Sequence, residues 1–174
     1  YTGKTQLLTT TVKNGRTWAH LEMKPRESAM LVLEHGTKTY TTAQFADVRS
    51  DGKTLNTKAL QAAIDTIAAQ GGGTLRLTKG DYLTGALFFK RGVNLHLDKG
   101  ATLISTDIEA DFPVIPTRFE GIEQNWRCAL LNFTDCPGVR ISGNGTVEGN
   151  GVKWKAHKFY PSGRPRLLCL TRCN

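Results

Sequence analysis

Six residues in the C-terminal third carry side chains suited to holding a ligand: Trp126, Arg127, Trp154, His157, Arg164 and Arg166. An arginine fork grips a carboxylate through two parallel hydrogen bonds, and an aromatic face stacks on a sugar ring. Together they suit carboxylated sugars. Each also has a structural alternative: Trp154, shortly after Gly151, can pack over a turn of the chain, and Arg164 and Arg166 can form ion pairs within the protein. The surrounding charge is one-sided. Residues 151–174 hold Lys153, Lys155, Lys158, Arg164, Arg166 and Arg172 and no acid, whereas residues 101–150 hold seven acids and three bases. Such a basic cluster faces either an anionic partner, such as nucleic acid or an acidic polysaccharide, or plain solvent.

Other chemistries find little support. The four cysteines (Cys128, Cys136, Cys169, Cys173) form no Cys-x-x-Cys pair, so no zinc site is expected, and they are too few to scaffold 174 residues by disulfides. Gly52-Lys53-Thr54 resembles the end of a phosphate-binding loop, but position 47 is Asp where that loop needs Gly. Gly143-x-Gly145 leads into a strand pattern, with its third Gly misplaced for dinucleotide binding. His96 alternates with Val93, Leu95 and Leu97, which places it on an outward face and argues against catalysis; His20 and His35 have no ligand-like neighbours. Asn132-Phe-Thr134 and Asn144-Gly-Thr146 are glycosylation sequons, meaningful only in a eukaryotic secretory host.

These residues must be positioned by a folded scaffold. Disorder is excluded by 39% apolar residues and by three Trp, four Tyr and seven Phe. No stretch approaches the length of a membrane span, and the polar start without Met points to numbering that begins inside a larger polypeptide or after processing. Leu7–Val12, Asn14-Gly15 and Thr17–Met23 predict a β-hairpin, and Ser28–Leu33 a further short strand. Residues 1–36 therefore read as the end of a preceding β-rich module, and 37–42 as a linker. Leu60, Ala63, Ile64 and Ile67 then form one apolar helical stripe, which Asn56 can cap and Gly71-Gly72-Gly73 stops.

Beyond the helix the pattern turns to period two. Short strands are expected at Thr74–Leu77, Tyr82–Phe89, Val93–Leu97, Thr102–Ile104, Ala129–Phe133, Val139–Ile141 and Thr146–Glu148. A sandwich, a barrel or a solenoid would fit them equally. A repeat decides between these. Leu130-Leu-Asn-Phe-Thr-Asp-Cys136 matches Leu167-Leu-Cys-Leu-Thr-Arg-Cys173 at an offset of 37 residues, with four of seven positions identical. Units that cannot bury a face alone must stack, which predicts an all-β fold: a truncated parallel β-helix over residues 43–174, capped at its N-terminal end by the amphipathic helix and preceded by a short antiparallel β segment. Cys136 and Cys173 would stack as buried thiols rather than as a disulfide.

Ala46-Asp-Val-Arg-Ser-Asp-Gly-Lys-Thr54, Gly71-Gly-Gly-Thr-Leu-Arg-Leu77, Gly80-Asp-Tyr-Leu-Thr-Gly85, Leu95-His-Leu-Asp-Lys-Gly-Ala-Thr-Leu103, Arg118-Phe-Glu-Gly121, Ile141-Ser-Gly-Asn-Gly-Thr-Val-Glu-Gly-Asn-Gly151 and Arg164-Pro-Arg166 follow one another in order. In this order and spacing they resemble the polygalacturonase family, glycoside hydrolase family 28, over about residues 43–174. One small departure is Glu148, where the family usually has Asp.

The resemblance implies a right-handed column of coils and inverting hydrolysis of pectic, galacturonan-type polysaccharide. One carboxyl group protonates the leaving oxygen while its partner activates water on the other face. The family's catalytic segments (Asn-Thr-Asp, Asp-Asp, Gly-His-Gly and Arg-x-Lys) are absent here, so no catalytic residue is assigned and the chain alone is expected to be inactive. No cofactor or metal is implied. The implied partners are acidic plant cell-wall pectin and the remainder of the parent polypeptide, with neither nucleic acid nor membrane, in a secreted or periplasmic setting. Two alternatives stand beside it: a non-catalytic β-helix that binds polysaccharide or acts as a scaffold, and a pectate lyase relative using calcium. Gly143–Gly151 and Arg164-Pro-Arg166 favour the hydrolase over the lyase.

Overall fold

The structure, a computed structural model, describes residues 10–13, 16–19, 38–154 and 163–173. The chain divides into two compact units, residues 1–35 and 36–174. In the first, β1 (Thr10–Lys13) and β2 (Arg16–Ala19) pair antiparallel, with Lys13 opposite Arg16, the register that the expected hairpin calls for. The strand expected at Ser28–Leu33 lies outside the described residues.

The second unit is a parallel β-helix. Its first coil contains β3 (Thr39–Thr41), β4 (Asp51–Leu55) and helix α1 (Thr57–Ala69). The next contains β5 (Gly73–Leu77), β6 (Gly80–Thr84) and β7 (Leu87–Phe89). Then come β8 (Val93–Leu97), β9 (Ala101–Ser105), the hairpin β10 (Val114–Phe119) and β11 (Ile122–Arg127), and β12 (Leu131–Thr134). The last described coil has β13 (Ile141–Gly143), β14 (Thr146–Glu148), a helical turn at Gly151–Trp154, and β15 (Leu168–Thr171). Corresponding strands stack into three parallel sheets, β3-β5-β8-β13, β4-β6-β9-β14 and β7-β12-β15.

The period-two pattern has a direct physical result: alternate residues fill the column. Leu75, Leu77, Val93, Leu95, Leu97, Leu103, Leu131 and Phe133 are buried, and Phe89 stacks on Phe133 with ring centroids 4.4 Å apart. The 37-residue repeat spans one coil, from β12 to β15. Leu131 pairs with Leu168, and so on to Thr134 with Thr171. Asp135 and Arg172, equivalent in the repeat, both adopt left-handed backbone (φ 54° and 51°) and form a bidentate ion pair at 2.6 and 2.7 Å. Cys136 and Cys173 are free thiols, each bonded to a carbonyl of the coil below, Phe89 O and Phe133 O respectively.

Helix α1 buries the expected stripe of Leu60, Ala63, Ile64 and Ile67, against β5, β7 and β8. It lies where a strand below β7 would otherwise pair. Gln61 takes the strand's place: its Oε1 accepts from Phe88 N and its Nε2 donates to Phe88 O, both at 2.9 Å. An edge strand's open hydrogen bonds are thereby closed by a side chain.

Several sequence expectations are corrected. Thr39–Thr41, read as part of a linker, is a rung paired with β5, so the first sheet starts four residues earlier than the expected coil boundary. The run Tyr82–Phe89 is two strands separated at Gly85-Ala86. Gly85 is at a corner so tight that a Cβ there would lie 2.6 Å from that of Asp111. The strand expected at Val139–Ile141 begins only at Ile141. Asn56 stands at the N-cap position of α1, yet its side chain makes no cap hydrogen bond. It is fully buried instead, accepting from Arg49 N and donating to the carbonyls of Arg49, Thr54 and Leu83.

Candidate functional site

The antiparallel hairpin β10–β11 leaves the column between β9 and β12. Its two-residue turn places Glu120 and Gly121 at φ 50° and 85°, the paired positive values that match the twist of hairpin strands. The motif Arg118–Gly121 spans this turn, which the sequence does not signal because Glu is an unusual residue at the first such position. Pro116 is tolerated since a two-stranded ribbon consists only of edges.

The hairpin brings Phe119 and Trp126 into a face-to-face stack, with centroids 4.3 Å apart and planes 12° from parallel. Arg166 lies over Phe119 at 5.5 Å from its centroid, donating to Arg118 O and Thr117 Oγ1 at 3.3 Å. Among the described residues its Nε is buried without a partner. These groups and the exposed Arg164 line a cleft of about 570 Å³, with Glu148 on another wall. Trp154 also lines it but is buried, with Nε1 donating to Thr106 O at 3.0 Å and its ring edge-on to Phe112. Trp154 therefore takes the packing alternative.

Arg127 does not join the cleft. It is 6% exposed, and its guanidinium donates to the carbonyls of Gly163, Glu109 and Phe112 and pairs with the Glu109 carboxylate at 3.2 Å. Its role is to fasten the 3-10 turn Glu109–Asp111 and residue 163 to the hairpin's end, because a buried guanidinium requires acceptors on every side. His157 lies outside the described residues. Of the six sequence candidates, Trp126, Trp154, Arg164 and Arg166 line the cleft, Trp154 as a buried part of its wall. Phe119 and Glu148 were not singled out as cleft residues; the Arg118–Gly121 motif was the available signal for the first.

The side chains there offer aromatic stacking and charge-assisted hydrogen bonds. Among the described residues Glu148 is the one carboxylate that lines the cleft, and it accepts from Asn150 N at 2.9 Å. Inverting hydrolysis needs a second carboxyl group roughly 6.5–9.5 Å away. Cys128, with its thiol pushed up to about 11 by burial, is no nucleophile. Among the described residues no group of three or more His, Cys, Asp or Glu could hold a metal ion, and no helix is long and apolar enough to cross a membrane. The phosphate-loop resemblance also resolves. Asp51 itself accepts from Lys53 N, Thr54 N and the Thr54 hydroxyl, filling with its own carboxylate the place an anion would take. These bonds lower its pKa to about 2.

The outer face of the first sheet carries a second polar cluster. His96 shares a hydrogen bond between Nδ1 and Ser142 Oγ at 2.9 Å, and its Nε2 lies 3.3 Å from Asp98, which also pairs with Arg76 at 2.8 Å. This Ser-His-Asp chain is not an acyl-transfer site. Backbone N–H groups lie in the plane of the sheet rather than toward its face, so no donor pair is aimed at an oxyanion.

Three stacked parallel sheets closed into coils define the class: a parallel β-helix. No family model matches the chain. It is 37% identical over 116 residues to an exo-poly-α-D-galacturonosidase of Dickeya chrysanthemi, a match covering 62% of this chain and 19% of that protein. A crystal structure from Parabacteroides merdae, described as a glycosyl hydrolase, superposes with a TM-score of 0.66 at 30% identity, over 78% of this chain and 60% of that one. A family 28 exopolygalacturonase of Yersinia enterocolitica gives 0.56 at 31% identity, over 64% and 20%. Over this part of its length the chain is polygalacturonase-like, and it spans about a fifth of the curated relative's length.

Proposed function

We propose that the chain is the N-terminal part of a glycoside hydrolase that cleaves pectic, galacturonan-type polysaccharide with inversion, and that its own share of the work is to hold substrate. The observation that carries this is the stacked-aromatic and arginine cleft, built on a column whose coils follow the polygalacturonase pattern. Trp126 offers the ring face that Phe119 does not cover, and the exposed Arg164 offers a fork for a uronate carboxylate, with the charge of Arg166 beside it. That Glu148 is the one carboxylate among the described cleft residues supports the reading that the catalytic carboxylates belong to further coils. On this reading the column is right-handed and truncated, α1 roofs its first coil, and the protein works outside the cytoplasm. The packing of α1 and the Gln61–Phe88 hydrogen bonds support the roof.

The test is release of reducing ends from polygalacturonate, with the product anomer followed by NMR. A polypeptide extended past Asn174 by the following coils should hydrolyse it with inversion, and residues 1–174 alone should not. Hydrolysis by residues 1–174, abolished by replacing Glu148, would overturn the division of roles. Binding of pectin by both forms with hydrolysis by neither would favour the non-catalytic alternative.

A further inference from the structure

The outer face of sheet β3-β5-β8-β13 carries a groove of about 300 Å³ whose lining among the described residues is polar: Thr39, Thr74, Arg76, Asn94, His96, Arg140 and Ser142. Strand register sorts them into two columns. Thr39, Thr74, Asn94 and Arg140 stand in one, and Arg76, His96 and Ser142 in the other. All belong to a face that the coil's apolar core does not need, and none takes part in the cleft beside the hairpin.

We infer that this groove is a second binding site for an acidic oligosaccharide, one that contacts carboxylates at Arg76 and Arg140 and hydroxyls in between. The identity of the acid as a uronate rests on the pectic reading above; the geometry of the groove does not. Arg76 and Arg140 are two rungs apart and offset by two residues, which puts their Cα atoms about 12 Å from each other. A single small anion cannot bridge that span, whereas an oligomer carrying a carboxylate on every unit can. Among the described residues Arg140 has no ion-pair partner. Asp98 holds Arg76 through Nε and lies beside His96 Nε2, and among the described residues the Arg76 terminal nitrogens have no hydrogen-bond partner. Asn94 already uses its oxygen on Arg140 N, which turns its amide nitrogen outward as a donor. Hydroxyls of Thr39, Thr74 and Ser142 complete a donor-rich strip suited to a sugar chain rather than to a bare phosphate.

The experiment is titration of the isotopically labelled chain with tetragalacturonate, a neutral tetragalactoside and inorganic phosphate, read by amide and histidine-ring NMR. Tetragalacturonate should shift Thr74, Asn94, His96 and Arg140 together, while the neutral sugar and phosphate leave them in place. Arg76→Gln and Arg140→Gln are exposed, conservative in size and spare the fold; each should weaken the titration about tenfold, the loss of one charge-assisted contact. Equal shifts with phosphate or the neutral sugar would overturn the inference, as would unchanged affinity in both variants. The two proposals fail separately. Hydrolysis by the extended polypeptide without groove shifts removes this site alone, and groove binding without hydrolysis removes only the catalytic reading.

Discussion

Asn56 offers a direct test of how the first coil is held. Were it an ordinary N-cap, Asn56→Ser would keep the cap hydrogen bond and cost only a few tenths of a kcal/mol. The structure shows another function. The side chain ties the Arg49 peptide group from both sides at 2.7 and 2.8 Å, and reaches Thr54 O at 2.9 Å and Leu83 O at 3.3 Å, with no exposure to water. Three short bonds at about 1 kcal/mol each, with the longer one adding little, give about 3 kcal/mol for their loss. A serine is too short to reach Arg49 and Leu83 and leaves the same groups unsatisfied, so Asn56→Ser and Asn56→Ala should be destabilised alike. In thermal unfolding this is a fall of roughly 6–12 °C for a chain of this size. Urea unfolding followed by far-UV circular dichroism measures it. A serine variant within about 0.5 kcal/mol of the parent, alongside a clearly weaker alanine variant, would refute the reasoning and restore the cap.

Gly143→Ala should be strongly destabilising, by more than about 2 kcal/mol in urea unfolding, since its backbone is left-handed (φ 101°) and the added Cβ collides with Leu97 O. Gly71→Ala, at φ 92° with open space around it, should cost only about 1 kcal/mol in the same assay. Arg127→Ala should lower stability by about 2–4 kcal/mol by leaving three carbonyls and Glu109 without their donor, while the exposed Arg164→Ala stays within about 0.5 kcal/mol; parallel thermal melts compare them. Asp51 is held at about 2 by the Thr54 and Lys53 amides and the Thr54 hydroxyl. The stability it contributes is therefore fully present above its ordinary 3.8 and is lost as pH falls from there through 2. The gap in stability between the parent and Asp51→Asn should shrink over that window, and a gap that is constant from pH 5 to 2 would exclude the link.

Local chemistry determined much by sequence alone. The stripe Leu60, Ala63, Ile64 and Ile67 meets one face because a helix turns every 3.6 residues, whatever it packs on. Val93–Leu97 alternates because strand side chains do, and the 37-residue repeat measured one coil because stacked rungs must present matching residues to each other. The family likeness followed from the same ordered motifs. Tertiary structure alone decided the corners and the fates of polar side chains. Gly85 interrupts Tyr82–Phe89, but its need to be Gly comes from Asp111, 26 residues on, which occupies the space a Cβ would take. Thr39–Thr41 became a rung because β5, more than thirty residues later, supplied its hydrogen-bond partners. Arg127 and Arg166 are the same residue type in one basic neighbourhood, yet only the first is closed in by carbonyls from residues 109, 112 and 163, and the second borders the cleft. A parallel coil pairs residues that are far apart in sequence. The environment of a side chain is therefore set by the rungs above and below, which its own neighbours along the chain do not encode.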